Sequence, residues 1–304
     1  MKHIITTSSA RAFRACNRKH KHLYIDRYRS RTKSGPLMFG SLFHLMLNAW
    51  WLGKSMEEVL RIPESEGIDP FVRIKAQELM RGYDIRWPRP DDVVDVEQAF
   101  DVPIINPDTG RAMQKTRLHG VVDVRRTDSI VEHKTSSQDI SQGSPYWRRL
   151  AIDNQVSNYL LAAAVNVCMY DVIYTRTPKP FKETPDDKKK YTAKGVLHKN
   201  QHAEDESEDA YRERLVDAIA EAPDKFYQRG DIVRLPEEIV EAQYDLYQQA
   251  LMIRESKRTD HWPRNPDACL MYGRECEFFD VCCGITTLEE DSRLTRKEKE
   301  HEEL

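Results

Sequence analysis

Asp123, Glu132 and Lys134 are the residues of this 304-residue chain whose types and spacing most directly suggest chemistry. They lie in residues 118–136, LHGVVDVRRTDSIVEHKTS. Two runs rich in β-branched residues, 120–126 and 130–135, flank a polar Thr127-Asp128-Ser129 turn and read as a hairpin. Side chains alternate along a strand, so Glu132 and Lys134 share one face while Val131 and His133 take the other. With Arg126 opposite Ser129, the register sets Asp123 directly across from Glu132, with Cβ atoms about 5 Å apart. Two carboxylates brought that close repel, and one of them would hold its proton to higher pH. Lys134 offsets part of that charge, and a hard cation such as Mg²⁺, which takes one or two carboxylates together with water and substrate phosphate, offsets the rest. The chemistry to expect is cleavage of a phosphodiester. Glu-x-Lys by itself is a weak signal, recurring at Glu255-Ser256-Lys257 in a charged helical stretch without a partner acid. The β-rich setting and the acid in register set the first copy apart.

Cysteines form a second constellation. Cys269, Cys276 and Cys282, with Cys283 adjacent, fall in NPDACLMYGRECEFFDVCCG, at intervals wider than the two-residue knuckle of zinc ribbons. With Cys16 they make four thiolates, the usual complement of a [4Fe-4S] cluster. A Zn²⁺ site, or a set in which Cys283 replaces Cys282 or Cys16, stays open. Pro266, Gly273 and Gly284 let the chain fold round a small object that Tyr272, Phe278 and Phe279 would shield, and such a site would staple the first helix to the C-terminal region. Cys168 is left as a core residue.

The elements that must position these groups follow from periodicity and punctuation. A helix is expected over 10–27, with Phe13, His20 and Tyr24 on one stripe. A second, 38–51, is apolar nearly all the way round and so expected to be buried on most sides; His44 is its one ionisable side chain. Helices over 56–61 and 69–86 end at the proline-rich 87–90, and residues 93–103 alternate as a strand carrying Glu97, either a third acid near the centre or an exposed strand residue. After the turn at 106–110 and the central hairpin comes a helix over 147–167. Gln155 and Tyr159, four apart, lie on one flank of it and can offer an amide and a hydroxyl to a phosphate or base. A strand at 171–177, a polar loop from 178 to 208, helices over 210–222 and 236–257 and a short strand at 228–235 complete an α/β pattern. The almost wholly charged 286–304 is expected to fray.

Composition narrows the class. A net charge of −3 with 32% charged residues excludes a uniformly basic coat. The first thirty-five residues are nonetheless basic, with Arg11, Arg14, Arg18, Lys19, Lys21, Arg27, Arg29, Arg31 and Lys33 against the acid Asp26, which suggests a polyanionic partner. No apolar run is long enough to span a bilayer, and no leader-like pattern opens the chain, so a cytoplasmic protein without a disulfide framework is expected.

Taken in order and spacing, His44, Asp123, Glu132-x-Lys134 and Gln155-x-x-x-Tyr159 resemble the RecB-type branch of the PD-(D/E)XK nuclease superfamily. Cys16 with Cys269, Cys276 and Cys282 resembles that branch's iron-sulfur members, among them repair nucleases and many phage-encoded exonucleases. The resemblance implies a restriction-endonuclease-like α/β core, a mixed central sheet flanked by helices, with N- and C-terminal helical extensions joined at the cysteines. It implies one domain over 1–285, made of a helical part to residue 90, a catalytic core over 91–177, a polar insertion over 178–209 and C-terminal helices with the cysteines over 210–285, followed by a charged tail. His44, Asp123, Glu132 and the His133 carbonyl would hold Mg²⁺ or Mn²⁺, Lys134 would orient the attacking water or stabilise the developing charge, and Gln155 and Tyr159 would contact the strand. The implied function is metal-dependent hydrolysis of DNA, with exonuclease action in recombination, repair or phage DNA processing, in company with a helicase or recombination protein. A non-catalytic DNA-binding relative and a structural zinc-binding interaction protein are the alternatives. Two features depart from the family pattern: a histidine between Glu132 and Lys134, where an apolar residue is common, and six residues between Cys269 and Cys276, where many members have two.

Overall fold

Every second residue of 116–124 is buried, Thr116, Leu118, Gly120, Val122 and Val124, and this period of two marks the strand on which the sheet is built. The computed structural model describes residues 3–32, 34–65, 67–271, 273–299 and 301. Its main sheet has six strands: β1 (His3–Ile5), β2 (Val93–Ile105), β3 (Ala112–Arg126), β4 (Ile130–Ser136), β5 (Val167–Tyr174) and β6 (Tyr227–Val233). Neighbours run β1-β3-β4-β5-β6, with β2 along the other edge of β3. The sheet is mixed: β1 lies parallel to β3 and β5 parallel to β4, while the remaining pairs are antiparallel.

Seven main helices surround it: α1 (Thr7–Ala15), α2 (Gly35–Trp51), α3 (Pro70–Arg86), α4 (Pro145–Ala151), α5 (Asn154–Ala163), α6 (Glu208–Glu221) and α7 (Pro236–Thr259). Helices α2, α3 and α6 build one core over the sheet through Phe43, Met46, Trp50, Leu79, Tyr83 and Leu215, which meet Val124 and Val131. Helices α4 and α5 cover the other face, where Trp147, Val156 and Leu160 meet Ile130, Cys168 and Tyr170. Helix α7 packs with α1 and β1 through Ile5, Phe13, Leu246 and Ile253. The expected mixed α/β sandwich is thus the observed one, and no helix among the described residues is long and apolar enough to cross a membrane.

Several expected boundaries move, each for a local reason. The first helix stops at Ala15 because Cys16 is extended, with φ −164° and ψ 119°, and two short helical turns, Asn17–His20 and Lys21–Ile25, follow. The helix expected over 147–167 is two helices, broken where the Asp153 carboxylate accepts from the Gln155 amide and starts a new one. It ends at Ala163, because Ala164 is left-handed, so Cys168 lies in β5 and not at a helix end. Helix α2 begins at Gly35 and is not buried all round, since Leu37, Met38 and Leu45 are more than half exposed. Among the described residues of the charged tail, Leu294–Arg296 does not fray but pairs antiparallel with Tyr28–Ser30, and Leu294 is buried against Leu23, Tyr24 and Phe278. That pairing occupies much of the basic N-terminal segment, whose Arg27 and Arg31 donate to the carbonyls of Glu298 and Leu294, while Lys19 pairs with Glu277. Of the residues expected to shield the cysteines, Tyr272 lies outside the described set.

Candidate active site

The site begins with an interruption in the sheet. Along one edge β2 pairs with β3, with two register shifts, while on the other edge β1 pairs with Thr116, Arg117 and Leu118 and β4 with Val124 and Arg125. Residues 119–122 therefore pair with no strand on that edge, and Asp123, across from Glu132, makes no backbone ladder pair there. His119, Gly120, Val121 and Asp123 line a cavity of about 1700 Å³ that opens there.

The hairpin register is the expected one: Arg126 donates its amide to the Ser129 carbonyl at 2.9 Å, Val124 faces Val131, and the same count sets Asp123 across from Glu132. The Asp123 carboxylate turns into the gap, where Oδ2 accepts from the His133 amide at 2.7 Å and takes the place of a ladder bond. On β4, Glu132 and Lys134 share a face, and Lys134 Nζ donates to Glu132 Oε1 at 2.5 Å. Gln155 closes the triangle, its Nε2 donating to Glu132 Oε1 at 2.6 Å and its Oε1 accepting from Lys134 at 3.2 Å. Glu132 Oε2 is buried without a partner. Tyr159, one turn further along α5, lines the cavity and stacks edge-on with Phe100 at 5.3 Å. Glycine at 120 makes this possible, because a Cβ there would stand 2.5 Å from the Phe100 ring and 3.2 Å from that of Tyr159.

His44 comes from the opposite side of the sheet. Helix α2 crosses β4 closely at Gly40, where a Cβ would lie 3.2 Å from Thr135 Oγ1, and one turn later His44 stands over His133 with ring centroids 6.0 Å apart. His44 lines the same cavity as Asp123. The cavity is thus walled from both faces, a consequence of the gap beside β3.

Electrostatics match this geometry. Burial, followed by the charge of Glu132, raises the Asp123 pKa to about 7. Burial works against the charge on Lys134, but the Glu132 carboxylate outweighs it and raises the ammonium's pKa. Burial, reinforced by His133 and Lys134, lowers His44 to about 3, so its imidazole is neutral, as a metal ligand requires. Tyr159 is raised, first by burial and then by Glu132.

The residues present fit a hard divalent cation. Among the described residues Glu132 has a buried oxygen without a partner, and burial together with the neighbouring Glu132 raises the Asp123 carboxyl, two penalties that one cation relieves. Side chains alone do not pre-form a cage: among the described residues no three His, Cys, Asp or Glu groups gather closely enough to hold an ion. Asp123 and His44 line the cavity, whereas Glu132 sits behind them under Lys134 and Gln155. Glu97, exposed as a strand residue, also lines the cavity, tied by the Asn48 amide at 2.5 Å.

The family model described as the PD-(D/E)XK nuclease superfamily matches residues 5–282. The chain belongs to that superfamily. Members of it generally use Mg²⁺ or Mn²⁺, and its substrate class is DNA. Two solved structures resemble this PD-(D/E)XK chain. One, from Eubacterium rectale and proposed to be an exonuclease, is 10% identical over 93% of this chain and 88% of its own, with a TM-score of 0.44. The other, a phage-related exonuclease from Haemophilus somnus 129PT, is 12% identical over 86% and 97%, with a TM-score of 0.36. No curated protein matches.

The histidine that departs from the family pattern has a structural partner the sequence did not announce. His133 Nδ1 lies 3.3 Å from Asp171 Oδ2, both residues buried, and Asp171 also accepts from Arg229 Nε at 3.2 Å and from the Tyr83 hydroxyl. Burial would raise the Asp171 carboxyl, but the nearby His133 imidazole and the Arg229 guanidinium prevail and lower it. An acid in β5 and a basic residue in β6 in cross-strand register were the available signal.

At the other end, Asn265 donates its amide to Cys16 Sγ at 3.4 Å, and the Cys276 amide donates to the Cys269 carbonyl at 2.8 Å. Cys16 is buried, Cys269, Cys276 and Cys282 are half-buried, and Cys283 is exposed. Burial raises the thiols of Cys269 and Cys282, and among the described residues no three of these cysteines gather closely enough to hold a metal ion.

Proposed function

We propose that the chain is a metal-dependent deoxyribonuclease that digests DNA from ends. The observation that carries this reading is the Asp123 carboxylate wedged into the gap of the sheet opposite Glu132, with Lys134 beside it and His44 reaching the same cavity from α2. A Mg²⁺ or Mn²⁺ ion bound by Asp123, Glu132, His44 and the His133 carbonyl would supply a nucleophilic water and neutralise charge on the phosphate. Lys134 holds Glu132 and stands where a water or a developing negative charge can be met by its ammonium. Gln155 and Tyr159 would meet the strand beside the scissile phosphate.

The test is digestion of end-labelled linear and circular DNA with Mg²⁺, comparing wild type with Asp123→Ala and Lys134→Ala. Loss of linear digestion in both variants, with circles spared by wild type, is the expected result. Equal digestion by wild type and variants would show the centre to be misassigned, and cutting of circles would make the enzyme an endonuclease.

We also propose that Cys16, Cys269, Cys276 and Cys282 hold a [4Fe-4S] cluster that staples the N-terminal segment to the C-terminal region. Support comes from Cys16, extended between two helices, whose sulfur accepts from the Asn265 amide in the segment that leads to Cys269. Brown protein with broad visible absorbance after anaerobic purification is expected. Colourless protein carrying zinc would favour the interaction-protein alternative for this end of the molecule.

A further inference from the structure

Lys75, on α3, projects into the cavity that holds His44 and Asp123 but belongs to no motif that defines the centre. Its ammonium lies 4.3 Å above the Phe39 ring, and among the described residues no carboxylate pairs with it. Burial alone holds its pKa down, to about 8, with no charged neighbour contributing. A half-buried cation without a counter-ion is costly to keep unless a ligand supplies the missing charge. Arg176 and Lys179, which follow β5 and line the same cavity, form no ion pair among the described residues either. The acids around them are committed elsewhere: Asp69 caps α3 through the amides of Phe71 and Val72, and Glu97 takes the Asn48 amide. The wall formed by α3 and the segment after β5 is therefore cationic, while Asp123 makes the far wall anionic.

We propose that Lys75, with Arg176 and Lys179, is a phosphodiester subsite that grips the DNA strand at a phosphate other than the scissile one. The inference rests on the nuclease reading for its ligand. Lys75 acts in binding and not in the chemical step, and the Phe39 ring beneath its ammonium fixes its direction.

The experiment measures binding of a fluorescein-labelled 20-nucleotide strand by anisotropy in chelator, so that no cleavage is needed, across a salt series. Lys75→Met, which keeps the apolar stem, is expected to weaken binding about tenfold and to reduce the slope of log K against log salt by about 1. Lys75→Arg should stay within about threefold of wild type. With Mg²⁺, Lys75→Met should raise KM and leave kcat unchanged. Identical affinity and salt slope in wild type and Lys75→Met would overturn the subsite even if DNA is digested. A Lys75-dependent affinity in a protein that digests nothing would uphold the subsite and overturn the nuclease reading. Thermal melting of each variant establishes that it folds. Should Lys75→Met not fold, Arg176→Gln with Lys179→Gln gives the same readout, and unchanged affinity there likewise overturns the proposal.

Discussion

Asp123 carries two burdens, burial and the charge of Glu132, that raise its pKa from 3.8 to about 7. In the metal-free protein the folded chain therefore holds a proton that the unfolded chain has released, so this residue's contribution to stability falls as pH rises from about 4 to about 7. Asp123→Asn removes that slope, and thermal melting in chelator across this range should show wild type losing stability relative to the variant as pH increases. Metal binding must expel the same proton, so the apparent Mg²⁺ affinity of wild type should fall by about tenfold per unit below pH 7 and level off above it. Calorimetric titrations at pH 6, 7 and 8 check this. His133 raises a different question, since it occupies a strand position where the family commonly has an apolar side chain. It lies beside Asp171, which is paired with Arg229, and Asp171→Asn leaves the Arg229 cation short of its counter-charge. A stability loss of about 3 kcal/mol by denaturant unfolding is expected. Sequence reading set Asp123 across from Glu132 and Lys134 beside it because alternation and hairpin register are local, but it could not see Asp171, whose partner Arg229 lies 58 residues on, across a strand pair formed only in the fold.

At the scale of elements, the approach of α2 to β4 decides whether His44 belongs to the site. Gly40 permits that approach, and any larger residue must push against Thr135 one turn before His44. Gly40→Val should cost about 1–3 kcal/mol by overpacking and also weaken Mg²⁺ binding, because His44 moves with the helix. Unchanged Mg²⁺ affinity, measured by calorimetry on the folded variant, would show that His44 is not a ligand. The second element-level lesson is the break at Asp153. An unbroken helix and two helices share the same apolar stripe, but the cap formed by Asp153 restarts α5 so that Gln155 falls in its first turn, within reach of Glu132. Periodicity grouped Gln155 with Tyr159 correctly and missed the restart, because a side-chain cap competes with the helix on terms that hydrophobic spacing does not record.

For the whole molecule, the C-terminal tail proves to be structural. Its carbonyls at Leu294 and Glu298 accept from Arg31 and Arg27 of the N-terminal segment, and Leu294 seals a small core with Leu23, Tyr24 and Phe278. Leu294→Asp should lower the melting temperature and expose residues 17–31 to limited proteolysis, read by mass spectrometry of the fragments. An unchanged digestion pattern would mean that the tail does not hold the segment.

By itself the sequence determined the α/β class, the hairpin and the pairing of its two acids, because each depends on contacts within about fifteen residues and on strict alternation. Tertiary structure alone decided that β1 stops short of β4 along β3 and leaves the gap into which Asp123 turns, that His44 and Tyr159 meet there from opposite faces, and that a cation on α3 shares their cavity. These arrangements are set by packing between segments far apart in the chain, where many sequences bury equal apolar area and only the assembled fold selects which polar groups are left facing one another.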